Sequence, residues 1–203
     1  MTLGGMVLTL ASTTFWITPS LWGQSEQDRL IAQLSDSGTR ESAVSEIVAA
    51  GHDKVPLLLS WTSRPPDVIN PLRVFQLKIG MAEVFGQLKV PEAVPFLIDN
   101  LNLQAIPASN IWAKNPDAIM SRLPAVAALI SIGRGARPAL FEAFNKPSMP
   151  DDRLAMIFVL SRTAQTPAEV KETKDFFNGI IQEMHLERFW IDEGLREFGS
   201  LGR

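Results

Sequence analysis

Three prolines, each at the start of an apolar segment, constrain the fold of this chain more than any other feature of its sequence. Pro56 and Pro95 lie 39 residues apart, and Pro138 follows Pro95 by 43 residues, a spacing expected of arrays of paired helices. Proline is tolerated in the first turn of a helix, where its missing N–H costs no intrahelical hydrogen bond. The spacing therefore predicts a repeated helical unit.

A glycine lies five residues before two of these prolines, at Gly51 and Gly133. Glycine adopts left-handed backbone conformations at little cost and commonly ends a helix. In the middle copy, which reads LKVPEAVPFLIDNL, we expect Pro91 to help end one helix before Pro95 starts the next. Each unit is thus predicted to contain two helices joined by a short, stiff turn.

Apolar side chains recur at helical spacing on both sides of each turn. The predicted stripes after the turns are Val55, Leu58, Leu59 and Thr62, then Val94, Leu97, Ile98 and Leu101, then Leu140, Phe141 and Phe144, with Arg137 in place of the first apolar residue of the third stripe. Two helices cannot cover both of their stripes alone, so neighbouring pairs must stack. The pattern predicts an all-α fold, an α-solenoid of about four antiparallel helix pairs.

The pattern also divides the chain into a leader and one domain. The first 24 residues carry no charge, which predicts a signal peptide or N-terminal apolar segment over 1–24 and a helical domain over 25–203. In the fourth pair we expect Thr166 to cap the second helix and Pro167 to begin it. The predicted repeats and terminal helix cover 39–62, 72–103, 116–145, 150–184 and 186–198.

The leader predicts a periplasmic or secreted protein. Its apolar run is broken by Thr and Ser residues and by Pro19, so we expect no stable transmembrane span. The alternative is a protein anchored by an uncleaved N-terminal segment.

The segment LKVPEAVPFLIDNL, with its AVPxLxxxL second helix, is similar to the HEAT-like repeat of phycobilisome lyase-type proteins and many bacterial repeat proteins. The resemblance is clearest over 72–103 and extends over 39–62 and 122–144. It implies an all-α superhelix. It implies no active site, because the shared residues are packing and turn residues, and such folds host many functions.

The composition excludes several kinds of chemistry. The chain has no cysteine, and His52 and His185, its two histidines, have no metal-ligand spacing around them. We therefore predict no catalytic residue, no metal site and no cofactor. The net charge of −3 argues against a nucleic-acid partner. A HEAT-like DNA glycosylase would need a basic concave face, which Asp99 and Glu142 oppose.

The second helices of a solenoid line its concave surface, where we predict partner-binding residues. The candidates are Trp61, Phe96 and Asp99, together with Trp112 in the long segment between the second and third copies. Aromatic residues are enriched in binding hot spots, and insertions often map to a binding face. The alternative for the three rings is that they pack against the stack.

These patterns predict a non-enzymatic protein–protein interaction or scaffold module whose partner is another protein. The alternative, which the family resemblance implies, is a lyase-type enzyme or a binding protein that handles a small molecule or chromophore in the concave face. Either the terminal helices or another copy of the chain could cover the apolar ends of the stack, so self-association stays open.

Overall fold

The computed structural model describes residues 20–64, 66, 70–105, 116–146 and 150–181. These residues form helices and connecting turns and contain no β-strand, so the all-α prediction is confirmed. The helices are α1 (Ser20–Leu34), α2 (Arg40–Ala49), α3 (Val55–Ser63), α4 (Pro71–Gln87), α5 (Val94–Ile98), α6 (Pro116–Arg122), α7 (Pro124–Ile132), α8 (Arg137–Phe144), α9 (Pro150–Thr163) and α10 (Pro167–Ile181).

Each of the three repeat prolines is the second residue of a helix. Pro56 lies in α3, Pro95 in α5 and Pro138 in α8. A 3₁₀ turn leads directly into each of these helices, at Gly51–Lys54, Pro91–Ala93 and Gly133–Ala136. The helix starts predicted from the prolines are therefore confirmed.

A residue with positive φ lies at or just before each of these turns. Gly51 and Gly133 have φ values of 73° and 72°, whereas in the middle unit Lys89 takes this conformation with φ 52°. The Val90 amide donates to the Phe85 carbonyl at 3.0 Å, and the Lys89 amide donates to Gly86 at 3.3 Å. This is the Schellman pattern, which satisfies the last carbonyls of α4.

A contribution of Pro91 to ending α4 stays a prediction. Helix α4 ends at Gln87, before the proline, and the hydrogen bonds around Lys89 close it. Pro91 begins the 3₁₀ turn.

The first helices of the predicted units, α2, α4, α7 and α9, contact one another in chain order, and α1 packs on both α2 and α4. The contact between α4 and α7 is the most extensive. It requires Gly86, because a Cβ at this position would lie 2.7 Å from the Ala128 Cα atom. Helix α5 contacts α7 and α8.

The core follows the predicted stripes of the second helices. Leu58, Leu97 and Leu140 occupy equivalent positions, and all three are fully buried. Arg137 is also buried, although the equivalent residues in the other units are valines.

The termini of the predicted domain fall partly outside the described residues. This applies to residues 1–19 of the predicted leader and to the predicted terminal helix 186–198. Residues 20–24, at the end of the leader, belong to α1. Among the described residues, every helix is too short or too polar to span a bilayer.

Candidate functional site

Two acidic side chains lie at equivalent, exposed positions of successive units. Asp99 follows the last residue of α5, and Glu142 lies on α8. Lys146 pairs with the second of them: its Nζ atom lies 2.9 Å from Glu142 Oε1. The pKa of Lys146 is raised chiefly by its hydrogen bond to Glu142 and the charge of that carboxylate, and the charge of Asp99 adds to this. We call Asp99, Glu142 and Lys146 the charged row.

Neighbouring residues hold the end of α5 in place beneath Asp99. The side-chain amide of Asn100 donates to the Phe96 carbonyl at 2.7 Å, and Lys78 on α4 donates to Asn100 Oδ1 at 3.0 Å. These bonds satisfy a carbonyl at the end of the helix. Asp99 therefore projects from a segment that is tied to the rest of the molecule.

The two predicted aromatic anchors are buried. Trp61 is 7% exposed and Phe96 is 8% exposed, and both belong to the hydrophobic core. The Phe96 ring meets Phe85 of α4 edge to face, with the ring centroids 5.8 Å apart. The exposure that we expected for these rings is therefore wrong, and their contacts inside the molecule match the alternative reading. A role of either ring in binding a partner stays a prediction, and Trp112 lies outside the described residues.

A second feature is a polar cavity of about 280 Å³ between the start of α8 and the start of α10. Four charged side chains line it together with a proline and an aromatic ring. The lining residues are Arg134, Arg137, Pro138, Phe141, Glu169 and Glu172. We call it the α8–α10 cavity.

Arg137 forms the inner wall of this cavity. Its side chain is 4% exposed, and a guanidinium that is buried so deeply must be fully paired. It donates to the Leu160 and Glu169 carbonyls at 3.1 and 3.3 Å, to the Glu172 carboxylate at 2.8 Å and to the Thr173 hydroxyl at 2.9 Å. The Phe141 ring lies beneath the guanidinium, 5.3 Å away. Arg137 thus joins α8 to both α9 and α10.

Glu169 forms the opposite wall and also caps α10. One of its oxygens, Oε2, accepts hydrogen bonds from the backbone amides of Gln165 and Thr166, while the Glu169 amide donates to the Thr166 hydroxyl. This reciprocal arrangement is a capping box, and it confirms Thr166 as the predicted cap. The hydrogen bond from the Gln165 amide is the main reason why the pKa of Glu169 is lowered.

The other oxygen of Glu169, Oε1, lacks a hydrogen-bond donor among the described residues. Arg134 Nε lies 2.7 Å from Oε1 and forms an ion pair with it, but the angle is too poor for a hydrogen bond. Within the described part of the chain this buried oxygen accepts no hydrogen bond at all. Native proteins leave few buried polar atoms in this state.

The sequence contained one signal for the cavity, which is the arginine in a stripe of apolar residues. Val55 and Val94 occupy the equivalent positions in the other units, so Arg137 stands out there. The four residues before Arg137, Gly133–Ala136, form the 3₁₀ turn that leads into α8. Glu169 and Glu172, the acidic residues of α10 that line the cavity with Arg137, do not stand out in the sequence in this way.

His52 lies exposed in a 3₁₀ turn. Over the described ranges, no group of three or more His, Cys, Asp or Glu side chains could hold a metal ion. Comparison with known proteins found no family model, no curated protein and no solved structure that matches this chain.

Proposed function

We propose that this protein is a non-enzymatic interaction module that binds another protein through the charged row. One observation carries the proposal. Asp99 and Glu142 occupy equivalent positions 43 residues apart, both are exposed, and both lie near Lys146. A repeated unit that displays the same kind of side chain at the same position offers a partner an extended and regular surface.

We further propose that the helix pairs form a HEAT-like α-solenoid. The ordered contacts of α2, α4, α7 and α9 support a row of first helices. A row of second helices is supported by the contact between α5 and α8 and by the Phe141 ring of α8, which meets Phe176 of α10 at 4.8 Å. Two such rows are what stacked helix pairs produce.

The charges of the row define the chemistry of the proposed partner. The row contains two carboxylates and one ammonium group, so the matching surface would present mainly basic side chains. Exposed charges of this kind contribute more to association rate and specificity than to affinity. We therefore expect a salt-sensitive interaction, weakened as ions screen the row.

The proposed place of action is outside the cytoplasm, after removal of the leader. In α1, the Glu26 carboxylate lies 2.6 Å from Lys54 Nζ, and Arg29 pairs with Glu46 at 2.8 Å. Cleavage before Glu26 would leave these ion pairs and the buried Leu30 intact. Sequencing the N-terminus of the mature protein tests this, because a chain that still begins at Met1 would contradict cleavage.

Site-specific crosslinking tests the interaction proposal. A photo-crosslinking amino acid is placed at position 99, at position 142 or, as a control, at Ser42, which is exposed on a first helix. We expect positions 99 and 142 to capture the same protein in living cells and position 42 to capture none of it. Equal capture at all three positions would contradict the proposal.

A variant that lacks both carboxylates of the charged row provides a second test of the interaction proposal. Replacing Asp99 and Glu142 together with alanine should abolish capture by a crosslinker placed at position 145, which is exposed beside the row, and leave the unfolding temperature nearly unchanged, because exposed ion pairs contribute only about 0–1 kcal/mol. Capture that survives this double substitution would rule out the charged row as the binding surface.

A further inference from the structure

We infer that the α8–α10 cavity binds a small zwitterion of the amino-acid class, with its ammonium group toward Glu169 and Glu172 and its carboxylate toward Arg134. This inference is independent of the charged row, so failure of either proposal leaves the other unaffected.

The cavity has the fixed walls that a binding site needs. The side chains of Arg137 and Glu169 are 4% and 9% exposed. Hydrogen bonds to α9 and α10 hold the Arg137 side chain, and hydrogen bonds from the backbone amides of the capping box hold the Glu169 side chain. Groups held in this way pay little ordering entropy when a ligand binds.

Oε1 of Glu169 has an ion-pair partner, Arg134, but still lacks a hydrogen bond, and this indicates what one end of the ligand must supply. Oε1 is buried and accepts no hydrogen bond from the described residues, and only a donor can satisfy it. Glu172 lies beside it with one oxygen bonded to Arg137 and the other not engaged by any described residue. An ammonium group has three donors, enough to reach both carboxylates.

Arg134 indicates what the other end must supply. Its side chain is 77% exposed and lines the cavity, and it pairs with Glu169 through Nε rather than through its two terminal nitrogens. These nitrogens form a planar fork that matches a carboxylate.

The balance of charge favours a ligand that carries both groups. Two arginines and two glutamates line the cavity, so their formal charges cancel. A ligand with a single charge would leave a net charge in a partly buried site, which is costly. A zwitterion keeps the filled cavity neutral.

The size of the cavity limits the ligand to a single small molecule. Its volume of about 280 Å³ lies at the lower end of the range for ligand pockets. Phe141 and Pro138 supply apolar surface for an aliphatic side chain between the charged ends.

Calorimetry on the full chain tests the inference with three matched probes. L-leucine carries both charges, isoamylamine lacks the carboxylate and 4-methylpentanoate lacks the ammonium group. We expect L-leucine to bind and each of the other two to bind at least roughly tenfold more weakly, because each loses one charged hydrogen-bonding group. Equal binding of all three probes, or no heat from L-leucine, would overturn the inference.

Two variants connect the binding to the named residues. Arg134→Gln changes an exposed side chain, and Glu172→Gln keeps an acceptor for Arg137 while it removes the charge. Each should weaken L-leucine binding roughly tenfold or more. Lys171→Gln is the control on the same helix, since Lys171 pairs with Asp175 and does not line the cavity. Unchanged affinity in both cavity variants, or an equal loss in the control, would contradict the assignment.

Discussion

The buried guanidinium of Arg137 on α8 donates a hydrogen bond of 2.9 Å to the hydroxyl of Thr173 on α10, and both residues are closed to solvent. In the two earlier units the residue equivalent to Arg137 is a valine, which can offer only apolar contact. The last helix pair is therefore joined to its neighbour by polar bonds that require one geometry.

The buried hydrogen bonds of Arg137 predict what happens when valine, the residue of the other two units, replaces it. Arg137→Val makes the third unit resemble the first two, yet we expect it to lower the free energy of unfolding by about 2–4 kcal/mol, because buried acceptors on α9 and α10 lose their donor. Urea denaturation measures the change. Lys171→Val is the control and should cost about 1 kcal/mol or less, since Lys171 and its ion-pair partner Asp175 are both exposed. A stable Arg137→Val protein would show that packing alone suffices here.

The glycine at the start of the third turn should resist substitution. Gly133 has φ 72° and ψ −128°, a region that side-chain-bearing residues avoid, so Gly133→Ala should destabilise the protein by about 1–2 kcal/mol. Gly135 lies two residues later with an ordinary φ and only a loose contact to Ile132. Gly135→Ala is therefore expected to be neutral or slightly stabilising. Thermal denaturation compares them, and equal losses would exclude backbone conformation as the cause.

The lysine at the end of α4 predicts a change of opposite sign. Lys89 has φ 52° at the position where Schellman motifs usually carry glycine. Lys89→Gly should therefore stabilise the protein by about 0.5–1 kcal/mol, with relief of the left-handed backbone outweighing the greater entropy of the unfolded chain. Lys89→Ala retains the Cβ atom and should leave the midpoint of urea unfolding unchanged. Destabilisation by glycine would contradict this explanation.

The burial of Phe96 predicts that its removal affects folding. Phe96→Ala should cost about 3–5 kcal/mol in unfolding free energy, because it removes a core ring that packs on Phe85. Phe75 on α4 is 36% exposed, and Phe75→Ala should cost about 1 kcal/mol or less. Denaturant unfolding distinguishes the two, and similar losses would place Phe96 outside the core.

Two glutamates predict opposite dependences on pH. Hydrogen bonds to Glu169 lower its pKa below the ordinary value of 4.5, so its carboxylate stabilises the fold above pH 4.5. That contribution disappears as the pH falls through the lower, folded-state pKa. Burial raises the pKa of Glu83, and the charge of Arg40 opposes this shift. Ionised Glu83 therefore destabilises the fold, and this penalty grows as the pH rises from 4.5 through the raised pKa.

The glutamine variants separate the two effects. At pH 7, Glu169→Gln should be less stable than the unmodified protein, and Glu83→Gln should be more stable. The Glu83→Gln difference should shrink as the pH falls from the raised pKa of Glu83 to 4.5, and the Glu169→Gln difference should shrink as the pH falls below 4.5, because each carboxylate is then neutral in both the folded and the unfolded state. Urea unfolding across this range measures them, and a difference of the same sign in both variants would contradict the opposite shifts.

The sequence was sufficient to predict most helix boundaries near the turns and much of the core. Proline and glycine act through local backbone preferences, so Pro56 and Gly133 could be interpreted without knowing their neighbours. The burial of Phe96 depends instead on packing. Helix α5 has five residues and contacts α7 and α8, while Phe96 itself meets Phe85 on α4. Neighbours on several sides bury more of a short helix than the single stripe that periodicity predicts.

The two candidate sites also differ in how far the sequence could predict them. The equivalence of Asp99 and Glu142 follows from the spacing of the prolines, so the charged row was partly predictable. The α8–α10 cavity was not, because Glu169 and Glu172 meet Arg137 only after α10 folds back against α8. Arg137 could be recognised as unusual in its apolar stripe, but the sequence did not indicate which residues it contacts.

The contact between Gly86 and Ala128 limits how the units could be rearranged. Counted back from the positive-φ residue of each unit, the position equivalent to Gly86 is Val48 in the first unit and Ile130 in the third. Either side chain, placed against Ala128, would occupy space where even a single Cβ atom approaches to 2.7 Å. A chain engineered by exchanging or duplicating units would therefore clash at this junction. The second and third units can lie next to each other in this order because residue 86 has no side chain.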